Sequence, residues 1–247
     1  MTDITRAATS GALAEQVADS LAVRLRDLVQ EQGRAALALT GGGIGTATLA
    51  ALAARAEQVP WDRLEIWWGD ERYLPTGNPE RNETGAREAL LDRVPVDMAR
   101  VHPVPGPDRS ESVEEAAQTY AAELAGVLNP GSPDESVALD IVLLGVGPDA
   151  HVASLFPEHP ALTDERLVIP VHGSPKPPPV RVSLSMATIQ AAAEVWLLAA
   201  GPEKADAVAR ALAPDATLLG TPASAARGRQ RTRWFLDDAA AAELPGS

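Results

Sequence analysis

The sequence contains no cysteine. That excludes a disulfide framework, a thiolate metal site and a thiol nucleophile. Lysine is nearly absent: Lys176 and Lys204 are the two in 247 residues, and every other cation is arginine. No apolar run approaches the roughly 18 residues that span a bilayer. The N-terminus lacks a basic segment followed by an apolar stretch, so no secretory signal is expected and a cytoplasmic location is. An excess of basic charge is missing too. The net charge is -13 and the pI about 4.7, which argues against nucleic-acid or anionic-membrane partners. An anionic ligand could bind such a chain only where cations are gathered locally, so the few basic positions carry information.

What is present suffices for a large core: 45% of residues are apolar. The pattern alternates helices and strands. Leu13, Val17, Leu21, Leu25 and Leu28 have helical spacing behind Ser10 as N-cap, and Gly33 follows the last turn. Ala35–Leu39 and Leu64–Trp68 predict strands, with a helix over Thr46–Glu57 between them. A loop is expected over Gly69–Arg81, a helix over Glu83–Asp92 and another over Ser112–Leu128. Ala138–Leu144 is nearly all apolar, as suits a parallel strand buried on both faces. Val168–Val171, Val180–Leu184, Val195–Ala199 and Arg233–Leu236 complete the strands, with helices over Pro202–Leu212 and near Asp237–Ala242. This order predicts an α/β fold with a doubly wound, mostly parallel sheet flanked by helices. No linker divides the chain, so one domain over 1–247 is expected. In such sheets ligands bind beyond the carboxyl ends of the strands.

Four segments fall where a ligand would meet them. Thr40-Gly41-Gly42-Gly43-Ile44-Gly45-Thr46 joins a strand to a helix, and its glycines let N–H groups approach an anion at the helix N-terminus. It lacks the Gly-Lys-Ser/Thr of a P-loop and the third glycine of a dinucleotide fingerprint. Asp70-Glu71-Arg72 follows a strand and brings an arginine suited to phosphate to the same sheet edge. Gly145-Val146-Gly147-Pro148-Asp149-Ala150-His151 follows the most buried strand. It presents a histidine able to exchange protons near neutral pH, with Asp149 placed to orient the ring. Ser174-Pro175-Lys176-Pro177-Pro178-Pro179-Val180-Arg181 holds a lysine in a stiff loop. His102, His159 and His172 form no ligand spacing with other residues, so no metal site is expected. No GxSxG elbow is present, which favours direct attack by water over an acyl-enzyme.

Together these segments resemble the 6-phosphogluconolactonase family over nearly the whole chain. The resemblance is carried by LTGGG, WWGDERYLP, LLGVGPDAHVASLFP, SPKPPPVRVSL and WFLDDAA. It implies a Rossmann-like sheet of the sugar-phosphate isomerase and lactonase kind, hydrolysis of 6-phospho-D-glucono-1,5-lactone, and no cofactor. It implies that the ligand is a phosphorylated sugar lactone and that the protein is a monomer or weak homo-oligomer. His151 falls on the family's catalytic histidine, with Asp149, Arg72 and Asp70 as further catalytic-site residues. Thr40, Gly41, Gly42, Gly43, Gly45, Arg72, Lys176 and Arg181 are the substrate- and phosphate-binding set. Two departures stand out: Gly43-Ile44 replaces a Ser-Thr step, and Ala150 stands where a glycine is usual. The related glucosamine-6-phosphate deaminases carry a glutamate five residues after their histidine; here that place is Phe156. An NAD(P)-dependent oxidoreductase is a rival reading, with Asp70 on a ribose and Arg72 on a 2′-phosphate; the spacing argues against it, because Asp70 lies well beyond the ~20 residues expected between glycines and ribose-binding acid. A sugar-phosphate sensor is a third reading; it would bind without catalysis.

Overall fold

A computed structural model describes residues 2–129 and 138–244. The chain opens with strand β1 (Thr2–Ala7) and helix α1 (Ser10–Gln32). The five apolar residues at helical spacing are all buried. Fully burying one such side chain contributes roughly 1.5–3 kcal/mol. The N-cap is Thr9, one residue before the expected Ser10; its hydroxyl accepts the N–H of Ala12. Gly33, at φ +81°, closes the helix through its N–H to the Val29 carbonyl.

β2 (Ala35–Leu39) is buried throughout and leads into α2 (Gly42–Ala53). This helix begins four residues earlier than its propensity suggests. Glycine is a poor helix former in an interior, but the first turn needs no intrahelical N–H partner. β3 (Leu64–Trp68) follows, and then β4 (Asp70–Arg72), inside the segment expected to be a loop. Three residues carry no periodicity of their own; β4 exists because it pairs antiparallel with β7 (Arg181–Leu184), far along the chain. The elements α3 (Asn82–Ala89), α4 (Val113–Leu128), β5 (Ile141–Gly145) and β6 (Val168–Val171) lie close to their expected bounds. α5 (Met186–Ala191), β8 (Glu194–Ala199), α6 (Ala205–Leu212), α7 (Pro222–Ala225) and β9 (Arg231–Asp237) complete the chain. A 3-10 turn at Pro202–Lys204 replaces the start of the expected helix before α6. Among the described residues beyond Asp237 there are turns and no helix: the Asp237 carboxylate takes the N–H groups of Ala240 and Gly201 instead.

Six strands form a parallel sheet in the order β1-β9-β8-β5-β2-β3, and β4-β7-β6 form a small antiparallel sheet. The fold is α/β, mostly parallel, with α1 and α2 packed side by side and α4 lying against β6. From β2 the chain proceeds outward to β3; from β5 it proceeds the other way to β8 and β9. The order therefore reverses between β2 and β5. Diverging connections leave a crevice beyond the carboxyl ends of those two strands.

Candidate active site

That crevice is a cleft of about 680 Å³, a size that suits a small metabolite. Its floor is built from the ends of β2 and β5. The Thr40 hydroxyl accepts the N–H of Gly145 at 3.1 Å and pins the two strands together. Gly41 to Ile44 line the cleft as the first turn of α2. Two glycines here are demanded by close approach. A Cβ on Gly41 would lie 2.0 Å from Asn82 Oδ1, and one on Gly45 would lie 2.9 Å from Thr40 Cγ2. The orphan N–H groups and dipole of this turn favour an anion.

Past β5 the backbone folds back on itself. The N–H of Gly147 reaches the His151 carbonyl at 2.9 Å, and Ala150, at φ +67°, donates to the Gly147 carbonyl at 2.9 Å. His151 Nδ1 lies 2.5 Å from Asp149 Oδ1. A carboxylate at that distance requires Nδ1 to carry the hydrogen, so the lone pair resides on Nε2. Among the described residues Nε2 has no hydrogen-bond partner. Lys176 Nζ lies 3.2 Å from both Asp149 Oδ1 and His151 Nδ1. Two donors do not bond each other, so Asp149 is the acceptor that both share. Burial pushes the Asp149 carboxyl up, but the His151 hydrogen bond and the charges of His151 and Lys176 outweigh it and hold the group well below the usual carboxylate range. The His151 ring rests on Phe156, centroids 4.6 Å apart. A Cβ on Gly147 would sit 2.0 Å from Nδ1, so the imidazole has its place only because position 147 is glycine.

β4 supplies the third wall. Successive residues alternate in direction, and Asp70 and Arg72 line the cleft while Glu71 turns inward. Glu71 takes the N–H groups of Arg72, Asn82 and Glu83 at 2.7–2.8 Å, which caps α3 and fixes β4. Asp70 accepts Ser154 Oγ at 2.7 Å and Asn82 Nδ2 at 3.3 Å. Arg72 donates to the Glu80 carbonyl, and its buried Nε has no partner among the described residues. Arg181 lines the base of the cleft, with most of its donors directed at the loop carrying Lys176.

The structure brings every expected site residue but Gly45 and Asp149 to the cleft lining; Gly45 packs just beneath it, against Thr40, and Asp149 reaches the site through its hydrogen bonds to His151 and Lys176. It also adds residues that the sequence did not single out: Asn82, Ser154 beneath it, and Lys204. Both lysines of the chain therefore face this cleft. Their rarity was the available signal for Lys204. Among the described residues its Nζ has no hydrogen bond or ion pair. Burial lowers its pKa, opposed by Glu203 and Asp149 and reinforced by Lys176. Among the described residues no three His, Asp or Glu side chains are grouped to hold a metal, and no helix is long and apolar enough to cross a membrane.

Comparison with known proteins agrees with this geometry. Residues 8–234 match the family described as glucosamine-6-phosphate isomerases/6-phosphogluconolactonase. A 6-phosphogluconolactonase of Streptomyces coelicolor is 52% identical over 240 residues, covering 95% of this chain and 92% of that protein. The crystal structure of 6-phosphogluconolactonase from Thermotoga maritima superposes with a TM-score of 0.83 at 27% identity, covering 96% of this chain and all of that one. A monomeric glucosamine-6-phosphate deaminase shares the fold, with a TM-score of 0.80 at 20% identity over 98% of this chain and 99% of that one. By sequence and by fold, this chain belongs to the glucosamine-6-phosphate isomerase and 6-phosphogluconolactonase family.

Proposed function

We propose that the protein hydrolyses 6-phospho-D-glucono-1,5-lactone to 6-phosphogluconate, the second step of the oxidative pentose phosphate pathway. The observation that carries this is the Asp149–His151–Lys176 cluster with Phe156 beneath the ring. Phe156 cannot transfer a proton, so the place beside His151 from which ring-opening isomerisation would draw a second acid or base is apolar here. The resemblance to lactonases at 52% identity points the same way.

The chemistry follows from the geometry. The 6-phosphate docks on the N–H groups at the start of α2, with Arg72 and Lys204 as its counter-charges. Nε2 of His151 takes a proton from water as its oxygen attacks the lactone carbonyl. Lys176, the cation touching the Asp149–His151 pair, stabilises the oxyanion. The C1–O5 bond then breaks, and the imidazolium returns its proton to the ring oxygen. A positioned base contributes roughly 10²–10⁴-fold, and an oxyanion donor roughly 10²–10³-fold. The enzyme works in the cytoplasm as a monomer or weak homo-oligomer, without nucleic acid as a partner.

The test generates the lactone in situ with glucose-6-phosphate dehydrogenase and follows its disappearance beside a no-enzyme control. Acceleration by the protein is the expected result. A decay equal to the control, or release of ammonia from glucosamine 6-phosphate, would overturn the assignment.

A further inference from the structure

The loop that presents Lys176 poses a hydrogen-bonding problem. Pro175, Pro177, Pro178 and Pro179 carry no N–H. A segment so short of donors cannot satisfy its own carbonyls. Its internal bonds come from Ser174: the hydroxyl donates to the Lys176 carbonyl at 2.9 Å and accepts the Lys176 N–H at 3.3 Å, and the Ser174 N–H reaches the Pro179 carbonyl at 2.9 Å. The remaining donors come from outside the loop, from one side chain. Arg181 Nε reaches the Pro178 carbonyl at 3.2 Å, and one terminal nitrogen reaches the Lys176 and Pro177 carbonyls, each at 3.1 Å. The other terminal nitrogen lies 3.9 Å from Asp70 Oδ2.

We infer that Arg181 is a positioning residue: its guanidinium, buried on β7, grips three consecutive carbonyls and thereby sets where Lys176 stands over Asp149 and His151. This goes beyond its place among substrate-binding cations and rests on the hydrolysis proposed for the cleft. Three features support it. Arg181 is 5% exposed, while Lys176 Nζ reaches into the cleft. Its fork suits carbonyls spread along a bend, which a lysine's single nitrogen cannot span. Its anchor is rigid, because β7 is hydrogen-bonded to both β4 and β6.

The chain's two lysines make the test direct. Lysine labelled with ¹³C at Cε gives two resonances, assigned by Lys204→Arg. In the wild type the Lys176 resonance stands apart from free lysine and moves in Asp149→Asn. In Arg181→Gln it collapses to the free-lysine position while the Lys204 resonance stays, and kcat falls roughly 10- to 100-fold with KM within about twofold. Arg181→Lys keeps the charge and loses the fork. Its Lys176 resonance also moves, and its added resonance is identified by absence from the wild type. If Arg181→Gln does not fold, seen as collapse of both resonances, the Lys variant decides. An unmoved Lys176 resonance with raised KM would overturn the inference and make Arg181 a substrate contact. Because the resonance is read without substrate, this outcome is separate from any failure of the lactonase assay.

Discussion

Three of the described histidines are held by carboxylates: His172 pairs with Glu114 at the exposed surface, and of the two set within the fold only one is left able to act. His102 lies in a loop segment buried against the edge strand β3, stacked on Trp67 at 4.0 Å. Its Nδ1 lies 2.6 Å from Glu123 and its Nε2 2.9 Å from Glu65. Both nitrogens are committed, and the residue ties β3 to α4. His151 has the same kind of partner at one nitrogen and open cleft at the other. Its carboxylate orients it; that of His102 is doubled and immobilises it. A histidine beside an acid is thus no evidence of catalysis. The second ring nitrogen decides, and its fate is set by topology: His151 follows a strand end at the switch point, while His102 lies along a strand side.

The sharpest way to break this comparison is to exchange the side chains for glutamine, one at a time. His151→Gln removes the base and should lower kcat by roughly 10²–10⁴-fold, with the thermal midpoint little changed. Near-normal turnover would place the base elsewhere. A second variant attacks the ring's orientation without touching the ring. In Gly147→Ala the new Cβ would meet Nδ1 and Cε1 of His151 at 2.0–2.1 Å, together with the Asp149 carboxylate at 2.5 Å. The imidazole must swing away, and a misplacement of about 1 Å can cost on the order of 10²-fold in rate. Wild-type kcat in a folded Gly147→Ala protein would show that the pair's alignment is unimportant.

His102→Gln gives the opposite signature. It leaves Glu65 with Arg100 as its remaining partner and removes the stack on Trp67. Stripping one partner from a buried charged hydrogen bond costs roughly 1–3 kcal/mol, while kcat should stay within about twofold. Chemical denaturation beside the coupled assay separates the two; a large loss of kcat at unchanged stability would contradict the division of roles.

How much of this was legible beforehand follows the range of the interactions involved. β2, β3 and α1 are written in local periodicity, and His151 is marked by its place just past a strand end, where solvent and ligand meet. The orienting role of Asp149 was visible as proximity in sequence. β4 was not, because its partner β7 is remote and its three residues have no pattern. The placement of Lys204 was hidden for a similar reason: its rarity marks it, but nothing at Pro202–Ala205 says that the turn faces the cleft. The true start of α2 was masked by glycines whose value lies in contacts with Asn82 and Thr40, residues that meet them only after folding.

Acid brings out a smaller difference within the pair. Asp149 is held below its ordinary range when folded and returns to that range when unfolded. Its contribution to stability is therefore fully present above the usual carboxylate range and is lost as pH falls below it. The gap in thermal midpoint between the wild type and Asp149→Asn should shrink between neutral pH and about pH 3. About a third of this side chain is exposed, so solvent screens the effect and the gap starts small. A gap constant with pH would mean that the carboxylate's charge contributes nothing to the fold.

The smallest effect belongs to Ala150, the residue that departs from the family's usual glycine. At φ +67° it occupies the left-handed region with a fully buried methyl. An alanine there costs roughly 1–2 kcal/mol of backbone strain. Ala150→Gly relieves that strain, but it exposes the unfolded chain's extra freedom, roughly 0.5–1 kcal/mol, and deletes a buried methyl worth about 0.8 kcal/mol. The terms nearly cancel, so stability should move by less than about 1 kcal/mol, or roughly 2–4 °C in midpoint. Turnover should hold within about twofold, because the Ala150-to-Gly147 hydrogen bond that closes the turn uses backbone atoms alone. If instead the glycine variant ran much faster, the methyl would be displacing His151 from its best position, and the departure at this site would be a handicap that the rest of the cleft has not corrected.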